Sequence, residues 1–147
     1  SQQLAAGLVG WDWFSVGLDD GSDLMVYLLR GADGSPQEAS SGTLVRPDGT
    51  ITHLKREDFS LRILDTWKSP HTGATYPSAW DLSLAAHSLH LRIEPHLADQ
   101  EVDARPTTSI AYWEGLCSFV GRHGEKPVKG HGYVELVGYL EAITDRF

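Results

Sequence analysis

Turn signals punctuate this chain at intervals close to the roughly 8–12 residues typical of sandwiches and barrels, with alternating β-branched, aromatic and polar residues between them. Asp20-Gly21, Asp33-Gly34 and Pro47-Asp48-Gly49 each supply the backbone geometry of a tight reversal. Helical periodicity is almost absent. The pattern predicts strands over Val9–Leu18, Leu24–Arg30, Ser40–Arg46, Thr50–Leu54, Leu61–Lys68 and Tyr76–Leu84, followed by one in which Leu89, Leu91 and Ile93 alternate. Ser69-Pro70-His71-Thr72-Gly73 reads as a loop, and Pro95 to Thr108 as a long, polar, irregular connection. The strongest hairpin pairs Ile110–Gly121 with Gly130–Leu140 across a loop containing Gly124 and Pro127. Sequential antiparallel strands, about nine of them, must bury one face and hide their edges. The expectation is an all-β, up-and-down, lipocalin-like barrel or a strongly curved sheet. The Gly-x-Trp signature of true lipocalins is missing, since the first strand reads Gly10-Trp11-Asp12-Trp13.

The chain has 147 residues, enough for one domain with one core. Its formal net charge of -8, from 20 acidic against 12 basic residues, opposes binding to a phosphate backbone, so nucleic acid is excluded as a partner. A lone cysteine, Cys117, rules out an intrachain disulfide and reads as a buried, inert thiol. Apolar runs fall short of the roughly 18 residues of a membrane helix, so no bilayer span is expected in this segment. Ser1 to Gly7 carries no targeting signal.

Several constellations could carry chemistry. If the last hairpin turns between Gly124 and Glu125, Arg122 faces Pro127 and Glu114 faces Glu135, on one face with Tyr112, Tyr133 and Tyr139. Two ionised carboxylates so placed repel, and one would hold its proton to a higher pH, suiting it to donate to an alkene or carbonyl. The alternative is structural: each carboxylate accepts hydrogen bonds from backbone groups or from Arg92 or Arg105. Asp12 alternates with Trp11 and Trp13 and so shares a face with Phe14, Val16 and Leu18, where an acid is either paired or functional. Asp81, beside Trp80, poses the same question. Trp11, Trp13, Trp80, Tyr112, Trp113, Tyr133 and Tyr139 are candidates to line a hydrophobic ligand pocket, with ordinary core packing as the alternative. The seven histidines show no metal-ligand spacing, and His87 and His90 sit on opposite faces of a strand or straddle a turn. No metal and no cofactor is expected. Neither a Gly-x-Ser-x-Gly elbow nor a glycine-rich phosphate loop occurs, which disfavours serine hydrolysis and nucleotide binding.

Longer motifs add a resemblance. Gly10-Trp11-Asp12-Trp13-Phe14-Ser15 with Leu18-Asp19-Asp20-Gly21-Ser22 resembles the opening of the second half of the carotenoid hydratase/AttH-like proteins, whose members carry the label "predicted secreted hydrolase". Asp58-Phe59-Ser60-Leu61, Thr66-Trp67-Lys68-Ser69-Pro70, Gly73-Ala74-Thr75-Tyr76-Pro77 and Asp99-Gln100-Glu101-Val102 are similar to the family pattern in the same order. So are Tyr112-Trp113-Glu114-Gly115 and Gly130 to Tyr139. The resemblance implies one C-terminal lipocalin-like domain of a two-domain protein, with its principal acid in the N-terminal lipocalin-like domain. It further implies a pocket for a hydrophobic small molecule, cofactor-independent hydration or hydrolysis, inactivity of the isolated domain, and a periplasmic or secreted location. A module that only binds a lipid-like ligand beside an envelope transporter is the alternative. Glu114, Glu135 and Asp12 stand as the catalytic candidates of this segment.

Overall fold

The structure, a computed structural model, describes residues 8–108 and 110–140. Ten antiparallel strands follow one another: β1 (Leu8–Gly17), β2 (Asp23–Gly31), β3 (Ser41–Val45), β4 (Ile51–Leu54), β5 (Ser60–Lys68), β6 (Thr75–Leu84), β7 (Leu89–Pro95), β8 (Glu101–Asp103), β9 (Ala111–His123) and β10 (Lys126–Val137). A four-residue α-helical turn, α1 (Arg105–Thr108), precedes β9. The expected turns stand where their glycines require, with Gly21, Gly34, Gly49 and Gly124 all at positive φ.

The sheet runs β4-β3-β2-β1-β10-β9-β7-β6-β5, with β8 added to β9. This is the circular order of an up-and-down barrel, interrupted at one place. β4 and β5, consecutive in the chain, are the two free edges, and no ladder joins them among the described residues. The result is a strongly curved, open sheet, the second of the two architectures expected. The 3-10 turn Arg56–Asp58 spans the gap, pinned where Asp58 Oδ2 accepts from the Lys55 amide at 2.7 Å and the Phe59 carbonyl from Arg56 at 2.7 Å. Phe59 and Leu54, both buried, fill the seam. Charged Arg62, Asp65 and Lys68 on edge strand β5 discourage another chain from pairing there.

One face of the sheet closes on an apolar core that includes Phe14, Tyr76, Trp80, Trp113 and Phe119. Phe14 meets Trp80 edge-on with ring centroids 5.3 Å apart, a favoured aromatic geometry. Alternation places Trp80, Leu82 and Leu84 inward as expected, all fully buried. Large side chains fill this interior. Cys117 lies in it, fully buried.

Two connections are more regular than their composition suggests. The last hairpin turns at Gly124-Glu125 with Arg122 opposite Pro127, the register expected, but its strands are longer, with Pro127 inside β10 and not in the loop. The stretch from Pro95 to Thr108 is also more ordered than its composition suggests. β7 pairs with β9 over Cys117–His123 and β8 pairs with β9 over Ala111–Trp113, so one long strand serves two short ones. Between them the Gln100 side chain takes over the ladder, its Oε1 accepting from the Leu116 amide at 2.9 Å and its Nε2 donating to the Leu116 carbonyl at 3.1 Å. Gly115 leaves room for that side chain, since a Cβ there would lie 2.4 Å from Gln100.

Candidate functional site

Among the described residues, Asp12 is the acid that the fold buries. Its side chain points inward from β1 with Phe14, Val16 and Leu18, as alternation predicts, and is only 3% exposed. On β2 the same period carries Leu24, Val26, Leu28 and then Arg30, which places a guanidinium at the end of an apolar row. Arg30 Nε lies 3.3 Å from Asp12 Oδ1, and another of its nitrogens donates to the Val137 carbonyl. Gly10, opposite Arg30 in the β1–β2 register, makes this possible: a Cβ there would fall 2.7 Å from the guanidinium and 2.0 Å from the Val137 oxygen.

Tyr139 completes the cluster. Strict alternation along β10 would place it outside with Tyr133 and Glu135, and that expectation is incorrect. The strand ends at Val137, and Gly138 at φ 94 swings the next residue to the inner side. There the Tyr139 hydroxyl donates to Asp12 Oδ1 at 2.8 Å, and the Arg30 guanidinium stands 4.0 Å from the ring centroid. Burial pushes the Asp12 carboxyl up to about 6, against the opposing pull of Arg30 and the Tyr139 hydrogen bond. Burial and the Asp12 charge likewise hold the Tyr139 hydroxyl above its ordinary range. The arrangement can take up or release one proton near neutral pH inside an apolar wall.

The polar row continues through Tyr76, whose ring centre is 5.7 Å from that of Tyr139. Trp67 stacks on Tyr76 at 6.2 Å. The Tyr76 hydroxyl donates to Glu101 Oε2 at 2.7 Å, and the same carboxylate accepts from Thr72 at 2.6 Å and from Ser69. Arg30, Tyr76 and Glu101 were not singled out in the sequence. Arg30 was legible in principle, as the one cation in the inward period of β2, whereas Glu101 required knowledge that β8 pairs with β9.

The other candidates divide between the two faces. Trp80 and Trp113 are inner, fully buried core, with Trp113 Nε1 donating to the Ala98 carbonyl at 2.8 Å. Trp11, Trp13, Tyr112 and Tyr133 are outer, so these seven aromatic residues do not line one pocket together. Glu114 does face Glu135, in the expected register and on the outer face. Neither meets Arg92 or Arg105, which pair with Glu94 at 2.6 Å and Asp103 at 2.7 Å. Instead Glu135 Oε1 accepts from Trp11 Nε1 at 2.8 Å. An open groove of about 620 Å³ lies beside them, lined by Trp13, Ser15, Glu114, His131 and Tyr133, and it is separated from Asp12 by the sheet itself.

The remaining candidates from the sequence lie away from the Asp12 cluster. Asp81 is paired with Arg62 at 2.7 Å on the outer surface. His87 lies in the turn between β6 and β7, and His90 lies on β7 itself. Burial pushes the Cys117 thiol up to about 12, far from a reactive thiolate. Among the described residues no group of three or more His, Cys, Asp or Glu side chains could hold a metal ion, and no helix is long and apolar enough to cross a membrane.

The model of the family described as AttH-like matches residues 1–139. An AttH candidate from Nitrosomonas europaea has a similar solved structure, with a TM-score of 0.84 and 36% identity over 96% of this chain and 42% of that one. Kievitone hydratase from Nectria haematococca is similar in fold, with a TM-score of 0.74 and 21% identity over 92% of this chain and 41% of that one. The chain therefore spans well under half the length of both. No curated protein matches it in sequence.

Proposed function

The chain belongs to the AttH-like family, and from that premise we propose that it is one lipocalin-like domain of a longer protein that adds water to a hydrophobic small molecule without a cofactor. The observation that carries the reading is the Asp12 carboxyl, buried on an apolar face, held by Tyr139 and Arg30 and poised at about 6. An acid so placed is matched to proton transfer near neutral pH. In hydration its proton goes to one carbon of an isolated alkene, water adds to the neighbouring carbon, and the proton that water then loses returns to the carboxylate. Arg30 stabilises the carboxylate between those two steps, and Tyr139 orients it. The packed interior of this domain argues that the substrate meets the cluster at the end of the sheet, where the remainder of the longer protein completes the enclosure. The isolated domain is accordingly inactive in this reading. The name of the Nectria haematococca relative, a hydratase, is compatible with such chemistry, although its likeness is one of fold.

The test is an assay of the full-length gene product on kievitone and on acyclic carotenoids in 18O-labelled water. The expected product carries one added water with the labelled oxygen. Asp12→Asn should abolish its formation, while Tyr139→Phe should retain turnover with a displaced pH profile. Full turnover by folded Asp12→Asn protein would remove Asp12 from the chemistry. A protein that retains a lipid-like ligand on purification but never converts it would favour the second reading, a binding module, for which the Arg30 pairing of Asp12 is the supporting observation.

A further inference from the structure

The outer surface of the sheet is chemically divided. Over β5 to β7 it is charged, with the exposed pairs Arg62–Asp81 and Arg92–Glu94. Over β2, β1, β10 and β9 it is polar at the end that holds Asp23, Lys129, His131 and Arg122, and mainly aromatic and apolar at the other. The register aligns three cross-strand rows there: Met25–Ser15–Tyr133–Leu116, Tyr27–Trp13–Glu135–Glu114 and Leu29–Trp11–Val137–Tyr112. Tyr133 is 48% and Leu116 37% exposed. Such a contiguous patch on an open sheet marks a surface that another surface covers. Its middle row ends in two carboxylates that no Lys or Arg meets in the ion pairs of the described residues.

We propose that this outer face of β2-β1-β10-β9 docks the part of the longer polypeptide that lies outside the matched region, through an apolar surface carrying a Lys or Arg opposite Glu114 and Glu135. Two observations select this occupant. Both solved relatives carry more than half their length beyond the part this chain matches, 42% and 41% being covered, so a body of comparable size accompanies this fold in each. Charge disfavours a second copy, because a two-fold pairing centred on the Glu114–Glu135 row would bring the carboxylate pairs together on chains of net charge -8. A cation seated between Glu114 and Glu135 relieves their repulsion, and the Trp11 indole, already donating to Glu135, fixes that carboxylate in place to receive it. The proposal rests on the reading that the chain works within a longer protein. It does not require any role for Asp12.

Hydroxyl-radical footprinting of the full-length gene product tests it, read by mass spectrometry at Trp11, Trp13 and Tyr133, with exposed Ile63 on β5 as the internal reference. The three aromatic residues should be protected in the wild type. Labelling should rise severalfold in the Glu114→Lys, Glu135→Lys double variant and rise less in the Glu114→Gln, Glu135→Gln variant, which introduces no like charge. Asp12→Asn should leave protection unchanged, which separates failure of this proposal from failure of the catalytic reading. Free labelling of Trp11, Trp13 and Tyr133 in the wild type would overturn the docking face. Protection that disappears on dilution would also overturn it, in favour of a second copy.

Discussion

The hydroxyl of Tyr139 donates to Oδ1 of Asp12 at 2.8 Å, joining residues 127 positions apart. This contact ties the end of the last strand to the first and closes the buried side of the Arg30 pair. Replacing Tyr139 with Phe removes one hydrogen bond to a buried acid, an expected loss of ~1–2 kcal/mol. Urea denaturation measures it. The Asp12 carboxyl should titrate at a higher pH in this variant, observable by carbon-13 NMR of the side-chain carboxyl, and an unchanged titration would mean that the hydroxyl does not restrain its charge.

Asp12 and Arg30 are coupled, and their variants should not add. Arg30→Met leaves the Asp12 carboxylate buried without its counter-charge above about pH 7, an expected cost of about 3 kcal/mol or more. Combining it with Asp12→Asn should recover most of that loss. A double-mutant cycle with no coupling would show the pair to be contributing nothing as a pair.

Stability should fall as pH rises from about 4 to about 6. The folded protein holds the Asp12 proton up to about 6 while the unfolded chain releases it near 3.8, so across that window the native state binds more protons and loses stability with each rise in pH. Asp20, Asp33, Asp48 and Asp103 are shifted down by their hydrogen bonds, so their contributions vanish only as pH falls below about 4 and leave the window clear. Denaturation midpoints at closely spaced pH values should show a slope in the wild type that is absent from Asp12→Asn.

Gly121 is required for strand contact. A Cβ there would lie 1.8 Å from the His90 carbonyl oxygen, so Gly121→Ala forces β7 away from β9. The expected loss is at or above the upper end of the ~1–3 kcal/mol typical of overpacking. Gly49→Ala, at φ 86 with nothing within 4 Å, strains only the turn and should cost ~1–2 kcal/mol. Thermal melts of the two variants should rank them in that order.

Cys117 should stay unreactive toward aromatic disulfide reagents in the folded protein and react fully once it is denatured. Its side chain is fully buried and its thiol is pushed up to about 12. Rapid reaction under native conditions would indicate local opening of β9.

Much of this molecule is local, and local features are legible in the sequence. The Asp-Gly and Pro-Asp-Gly steps define their reversals because few residues tolerate positive φ. The spacing around Gly124-Glu125 alone sets Glu114 opposite Glu135, since a hairpin's register follows from its turn. Alternation likewise put Asp12 with Phe14 and Val16. What the sequence could not decide was how separate segments share space. Gly138 breaks the period of β10, so Tyr139 meets Asp12 only once the sheet has brought β10 beside β1. Arg30 becomes a partner for Asp12 through the β1–β2 register and the missing side chain of Gly10. Glu101 joins Tyr76 because β8 takes the part of β9 that β7 leaves free. Whether the barrel closes was also a tertiary matter, decided by the seam between β4 and β5, where Leu54 and Phe59 provide apolar packing in place of a ladder. Turns and periods are properties of neighbours along the chain; the buried acid, its cation and the open seam arise from contacts between residues that only the curved sheet brings together.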